Sequence, residues 1–128
     1  MAEQQQARIG GCHCGAVRFT AQGKPKFVSN CHCLDCRKAT GAPFSTWVGY
    51  DAQNVTWQGD RAIHRSSPTV SRGFCAKCGT PLSYSGKQWS AETHLLVGTF
   101  DQPDDLRPTG DSFTADKLDW VRMPTFGE

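Results

Sequence analysis

Seven cysteines in 128 residues constrain this chain more than any other feature, because they fall into three tight groups. These are Cys12-His13-Cys14, then Cys31-His32-Cys33-Leu34-Asp35-Cys36, then Cys75-Ala76-Lys77-Cys78. An odd number rules out complete internal disulfide pairing. In a reducing compartment, cysteines this close together bind metal, with a disulfide framework as the competing arrangement for an exported chain. The opening MAEQQQARIGG lacks the apolar core of a secretory signal, and no stretch reaches bilayer-spanning length. The expectation is therefore a cytoplasmic chain with no membrane contact.

The rest of the sequence supplies the frame for those thiols. Its length suits one domain. Residues 1–8, rich in Gln, read as a flexible tail, 9–122 as a zinc-binding domain, and 123–128 as a second tail. Short β-favouring segments recur from residue 15 onward: AVRFTA, KFVSN, FSTWVGY, VTWQG, RAIHRSS, TVSRGF and HLLVGTF. Gly, Pro, Asn and Asp punctuate them, which predicts a mainly β, antiparallel fold. In AVRFTA, Val17 and Phe19 fall on one face and Arg18 and Thr20 on the other. The helical candidate is LDCRKATG, stopped by Gly41 and Pro43. FDQPDDLRPTGDSF reads as a connecting loop before a last segment at Leu118 to Val121.

The cysteines divide naturally into four and three. CAKCGT is a zinc knuckle by pattern, its Gly79 permitting the tight turn around a metal. Cys12 and Cys14, also followed by a glycine, are its natural complement, although they could instead join the middle group. Four thiolates make a closed structural site. Cys31, Cys33 and Cys36 are then left as three ligands, the number that catalytic zinc takes while keeping one exchangeable position. Closure by a histidine is the competing arrangement. His32 lies between two ligands and points away in an extended backbone, whereas His64 and His94 read as ordinary strand residues.

Three anionic sulfurs weaken zinc as a Lewis acid and favour a soft fourth ligand, so a thiol substrate fits best. Zinc deaminases carry an H-x-E motif. Here the residues two beyond the four histidines are Gly15, Leu34, Ser66 and Leu96, which disfavours that chemistry. Arg37 and Lys38 are candidates to hold substrate carboxylates, and Trp47 to wall the pocket. Trp57, Trp89 and Trp120 read as further core or pocket walls. A net charge of +2, with no basic run longer than Arg37-Lys38, argues against a nucleic-acid partner.

Taken in order, GGCHCGAVRF, CHCLDCRKATG, GFCAKCGTPL and LLVGTFDQP resemble the glutathione-dependent formaldehyde-activating enzyme family, which includes centromere protein V. The resemblance implies a tent-like, mainly β zinc fold with two zinc ions. A structural zinc would sit on Cys12, Cys14, Cys75 and Cys78, and a catalytic zinc on Cys31, Cys33 and Cys36. It also implies condensation of glutathione with formaldehyde to S-hydroxymethylglutathione, formally a carbon-sulfur lyase reaction in reverse. Where the family has P-x-x-H, this chain has Pro108-Thr109-Gly110-Asp111. The expectation is a zinc-dependent carbon-sulfur lyase acting on an adduct of glutathione or a similar small thiol. A zinc-stabilised module that binds glutathione, protein or nucleic acid without catalysis is the alternative.

Overall fold

The computed structural model describes residues 6–123. In chain order the strands are β1 (Ala7–Gly11), β2 (Arg18–Gln22), β3 (Phe27–Cys31), β4 (Ser45–Asp51), β5 (Val55–Gln58), β6 (Arg61–Ser67), β7 (Val70–Cys75), β8 (Pro81–Gly86), β9 (Glu92–Leu96) and β10 (Asp111–Ser112). One α-helix, α1 (Leu34–Thr40), and several short 3-10 turns complete the described residues. The chain is thus mainly β with little helix, as its punctuated segments require.

Strands β1, β2 and β5 form a three-stranded sheet in that order. The larger sheet runs β10-β3-β4-β9-β8-β7-β6. Its pairs are antiparallel except β10 with β3, which run parallel. Alternation along β4 separates two environments. Val48 and Tyr50 point into the main core, where Val28 and Leu95 stand at the neighbouring strands. Phe19 and Ala21 of β2 reach the same core from the smaller sheet, with Phe19 edge-on to Phe100 at 5.1 Å. Burying a Val, Leu or Phe side chain fully in this way contributes roughly 1.5–3 kcal/mol over leaving it exposed. Trp47 and Gly49 face the other way, and that opposite face of the large sheet carries the site described below.

Three departures from the sequence-based expectations concern backbone pairing. β1 begins at Ala7, inside what reads as a tail, because Ala7 pairs with Gln22 and Arg8 is tied to Asp105 at 2.7 Å. Residues 1–5 and 124–128 of the two expected tails lie outside the described residues. β8, whose PLSYSG segment is absent from the strands expected above, is a strand because β7 and β9 pair with it on both sides. Asp111–Ser112 pairs with Asn30–Cys31 although its surroundings read as loop. The segment at Leu118 to Val121 is a turn held by the Lys117 ammonium, which donates to the Val121 carbonyl at 2.9 Å. Trp120 lies 66% exposed, neither in the core nor in a pocket wall.

Candidate functional site

The four-thiol group joins two distant turns. Cys12 and Cys14 follow β1, and the Gly15 amide, at φ +84°, closes a tight turn onto the Cys12 carbonyl at 3.2 Å. Cys75 ends β7, and the chain turns back there, with the Gly79 amide donating to the Cys75 carbonyl at 2.8 Å. The sulfurs of Cys12 and Cys14 stand 3.6 Å apart, those of Cys14 and Cys75 3.8 Å. A tetrahedron with zinc–sulfur bonds of about 2.3 Å has edges of about 3.8 Å, so the spacing fits such an ion. Backbone amides of Val17 and Cys78 donate to the sulfurs of Cys12 and Cys75 at 3.3 and 3.4 Å, contacts that favour thiolates. The Thr80 hydroxyl, then its backbone amide, hold Cys78 down at about 5. Four ligands leave no free corner.

The three-thiol group is local. Cys31 is the last residue of β3, Cys33 caps the N-terminus of α1, and Cys36 lies in the first turn. The Cys36 amide donates to the Cys33 sulfur at 3.3 Å, so a member of the thiol group itself supplies the cap. Gly41, at φ +77°, ends the helix by donating to the Arg37 carbonyl at 2.7 Å, a conformation suited to glycine. Sulfur separations of 3.4 Å for Cys31–Cys33 and 3.2 Å for Cys31–Cys36 leave the three converging on one point. The hydrogen bond with Cys31 foremost, then those with Cys33 and Trp47, push Cys36 down to about 5 against burial. Its contact with Cys36, reinforced by burial, pushes Cys31 up. Burial pushes Cys33 up as well, so the negative charge rests on Cys36 with two thiols beside it, and three sulfurs aimed at one point are a donor set for a soft cation.

Among the described residues, no histidine, carboxylate or fourth cysteine completes this group. His32 is fully buried and turned away, its Nε2 2.8 Å from the Asp111 carboxylate. That contact ties β10 to the residue that follows β3, beside the three thiols, so Asp111 has a structural partner. The His32 amide also donates to the Ser112 carbonyl at 3.0 Å.

What lies beside the three sulfurs is a cleft of about 950 Å³ whose wall includes Cys31, Cys33 and Cys36. Strand register explains its composition. One row of neighbours crosses the sheet as Phe27, Gly49, His94, Tyr84, Arg72 and His64. Trp47 and Ser29 occupy the adjacent row, one step nearer Cys31. A Cβ on Gly49 would overlap the Phe27 ring, so glycine there lets Phe27 lie across the strand. Tyr84 and His94 stack at 5.4 Å, and the Arg72 guanidinium sits 5.1 Å over the Tyr84 ring. Burial pushes the Tyr84 hydroxyl up. His94 is braced from outside, its Nε2 2.9 Å from the Glu92 carboxylate.

Trp47 is buried against Cys31 and Cys36 and lines the cleft, as does Lys38. Arg37 does not line it. Each helical residue turns about 100° from the last, which puts Asp35, Lys38 and Ala39 on one side of Cys36 and Arg37 on the other. Sequence reading missed Arg72 and Tyr84, offered Trp89 only as a core or pocket wall, and gave His64 and His94 no role beyond the strand; Trp89 lines the cleft. The available signal was alternation: His64 and Ser66 in β6, and Val70 and Arg72 in β7, are the same-face positions that reach the cleft.

Comparison with known proteins agrees with this geometry. The family described as "Glutathione-dependent formaldehyde-activating enzyme" matches residues 7–116. A Halomonas elongata protein, provisionally named as a glutathione-dependent formaldehyde-activating enzyme, is 31% identical over 127 residues, covering 89% of this chain and 79% of its own. A crystal structure of a Rhodobacter sphaeroides protein superposes with a TM-score of 0.62 at 19% identity, covering 81% of this chain and 99% of that one. At that identity it shows a shared fold. No helix among the described residues is long and apolar enough to cross a membrane.

Proposed function

The chain belongs to the glutathione-dependent formaldehyde-activating enzyme family, and we propose that it is a zinc enzyme that forms or splits the adduct of glutathione with formaldehyde. One observation carries this reading: three converging sulfurs, with no fourth protein ligand beside them among the described residues, form part of the wall of a cleft. Cys12, Cys14, Cys75 and Cys78 would hold a structural zinc. Zinc on Cys31, Cys33 and Cys36 would supply the positive charge that keeps a substrate thiol ionised near neutral pH.

The residues of the chain divide the remaining work. Arg72, fixed over the Tyr84 ring, and Lys38 offer cations to the carboxylates of glutathione. Trp47 packs over two of the thiols and keeps water from that side. In the forward direction the thiolate sulfur adds to the carbonyl carbon, and the carbonyl π pair moves to oxygen, which takes up a proton. Tyr84, kept protonated by burial, is the candidate donor to that oxygen. The reverse reaction returns the proton, restores the carbonyl and releases the thiol.

The test is the exchange rate between formaldehyde and S-hydroxymethylglutathione, followed by NMR with zinc-loaded protein. Faster exchange is expected. Identical rates with and without protein would end the catalytic reading, and glutathione binding without acceleration would make this a carrier.

A further inference from the structure

The cleft is larger and more aromatic than a formaldehyde adduct requires. A hydroxymethyl group adds one carbon and one oxygen to the thiol, and glutathione itself presents amides and carboxylates. Yet the volume of about 950 Å³ lies near the top of the range for drug-sized ligands. The cross-sheet row is also graded. Its Arg72 and His64 end is cationic or polar, and its other end is built of rings, with Phe27 edge-on to His94 at 4.8 Å. Trp89, on a 3-10 turn, adds a further ring at 5.7 Å from His94 and 6.1 Å from Tyr84.

Two aromatic side chains at this cleft remain substantially in water: Trp89 is 39% exposed and Phe113 61%. Phe113 is also the one non-glycine residue at positive φ among those described, at +57°. A bulky residue in that region is strained and persists only where its surroundings enforce it. Here β10, anchored to β3 and by Asp111 to His32, immediately precedes it. The fold therefore holds an apolar ring at the cleft where water, rather than protein, covers it.

Resting on the thiol reading above, we propose that the preferred substrate is the adduct of a small thiol with an aldehyde bearing an aromatic or comparably bulky apolar group. The thiol's carboxylates lie toward Arg72 and Lys38, and the apolar group lies against His94, Trp89 and Phe113. In the splitting direction the adduct's hydroxyl loses its proton, an oxygen lone pair forms the carbonyl, and the C–S bond breaks with its electrons going to sulfur. The proton ends on sulfur, so the products are thiol and aldehyde with no change in oxidation state.

Two unreactive thioethers test this by calorimetry on the zinc-loaded protein: S-methylglutathione and S-benzylglutathione. The benzyl compound is expected to bind at least about ten-fold more tightly, the factor expected from partly burying one phenyl ring. Trp89→Ala and Phe113→Asn should erase that gap and leave the S-methyl affinity in place. Asn tolerates left-handed backbone, so the second variant keeps the loop even if the first perturbs its turn. Equal affinities in the wild type would overturn the inference and leave the thiol reading standing. A gap that survives both variants would overturn the assignment of the wall. If neither thioether nor glutathione binds, both readings fall.

Discussion

The four-thiol site is the more exposed of the two, with Cys14 and Cys78 in contact with solvent, whereas Cys31 and Cys36 in the three-thiol site are buried. Exposure alone would assign chemistry to the first. On the function proposed above, ligand number assigns it to the second, because a complete tetrahedron offers nothing to a substrate however wet its rim. The sites also differ in reach. Cys14 and Cys75 bring together positions 61 residues apart, while Cys31 and Cys36 are five apart and already held by a strand end and a helix cap. Closing a long loop constrains much of the chain, and closing a short one constrains little. With metals bound as proposed, the first site would hold the fold and the second would be held by it.

The largest expected effect follows from that division. Binding of a structural zinc contributes on the order of 10 kcal/mol, comparable to the whole stability of a domain. Cys75→Ser should lose one zinc and its cooperative melting transition. Cys31→Ser should also lose one zinc but still melt cooperatively, within about 10 °C of the wild type. Metal analysis and calorimetry of both variants check this, and equal destabilisation would erase the distinction.

A smaller effect is expected at Asp111. Asp111→Asn weakens the contact to buried His32, which should cost about 1–3 kcal/mol in urea denaturation. Because His32 lies between two of the three clustered cysteines, the variant should also weaken metal binding at the three-thiol site by roughly ten-fold and leave the four-thiol site unchanged. Competition with a chelator reads both sites. Arg72→Gln should reduce glutathione affinity by about ten-fold with little change in melting, since Arg72 touches the cleft and not the main core.

The least effect concerns the cleft wall and pH. The hydrogen bond with His94, then that with Lys26, hold the Glu92 carboxyl below its usual range. A lowered folded-state pKa stabilises above the ordinary value of about 4.3 and ceases to do so as pH falls through the folded value. Glu92→Gln should therefore be less stable than wild type by about 1 kcal/mol near pH 6, and the gap should close in acid. Paired urea titrations at each pH measure the difference.

How much of this was legible in the sequence depends on how local each feature is. The cysteine grouping, the capped turn of helix at Leu34–Thr40 and the alternation of Val17 and Phe19 are written in neighbouring residues, and the fold follows them. β8 and β10 were not, because Pro, Ser, Asp and Gly there look like turns, and pairing with distant strands made them extended. The cleft wall depends on register between strands running from residue 27 to residue 94, which no single segment encodes. Arg37 stands outside the cleft lining for the opposite reason. It adjoins a ligand in sequence, but one residue of helix turns it to the other side.

The central claim, that one thiol site is closed and the other open, is tested most directly by replacing both metals with cobalt and adding glutathione. The visible spectrum of tetrahedral cobalt depends on its ligands, so an exchangeable corner is directly observable. The expected result is a saturable spectral change at one of two cobalt ions, absent in Cys31→Ser. A spectrum of the two-cobalt protein that stays unchanged at saturating glutathione would contradict it.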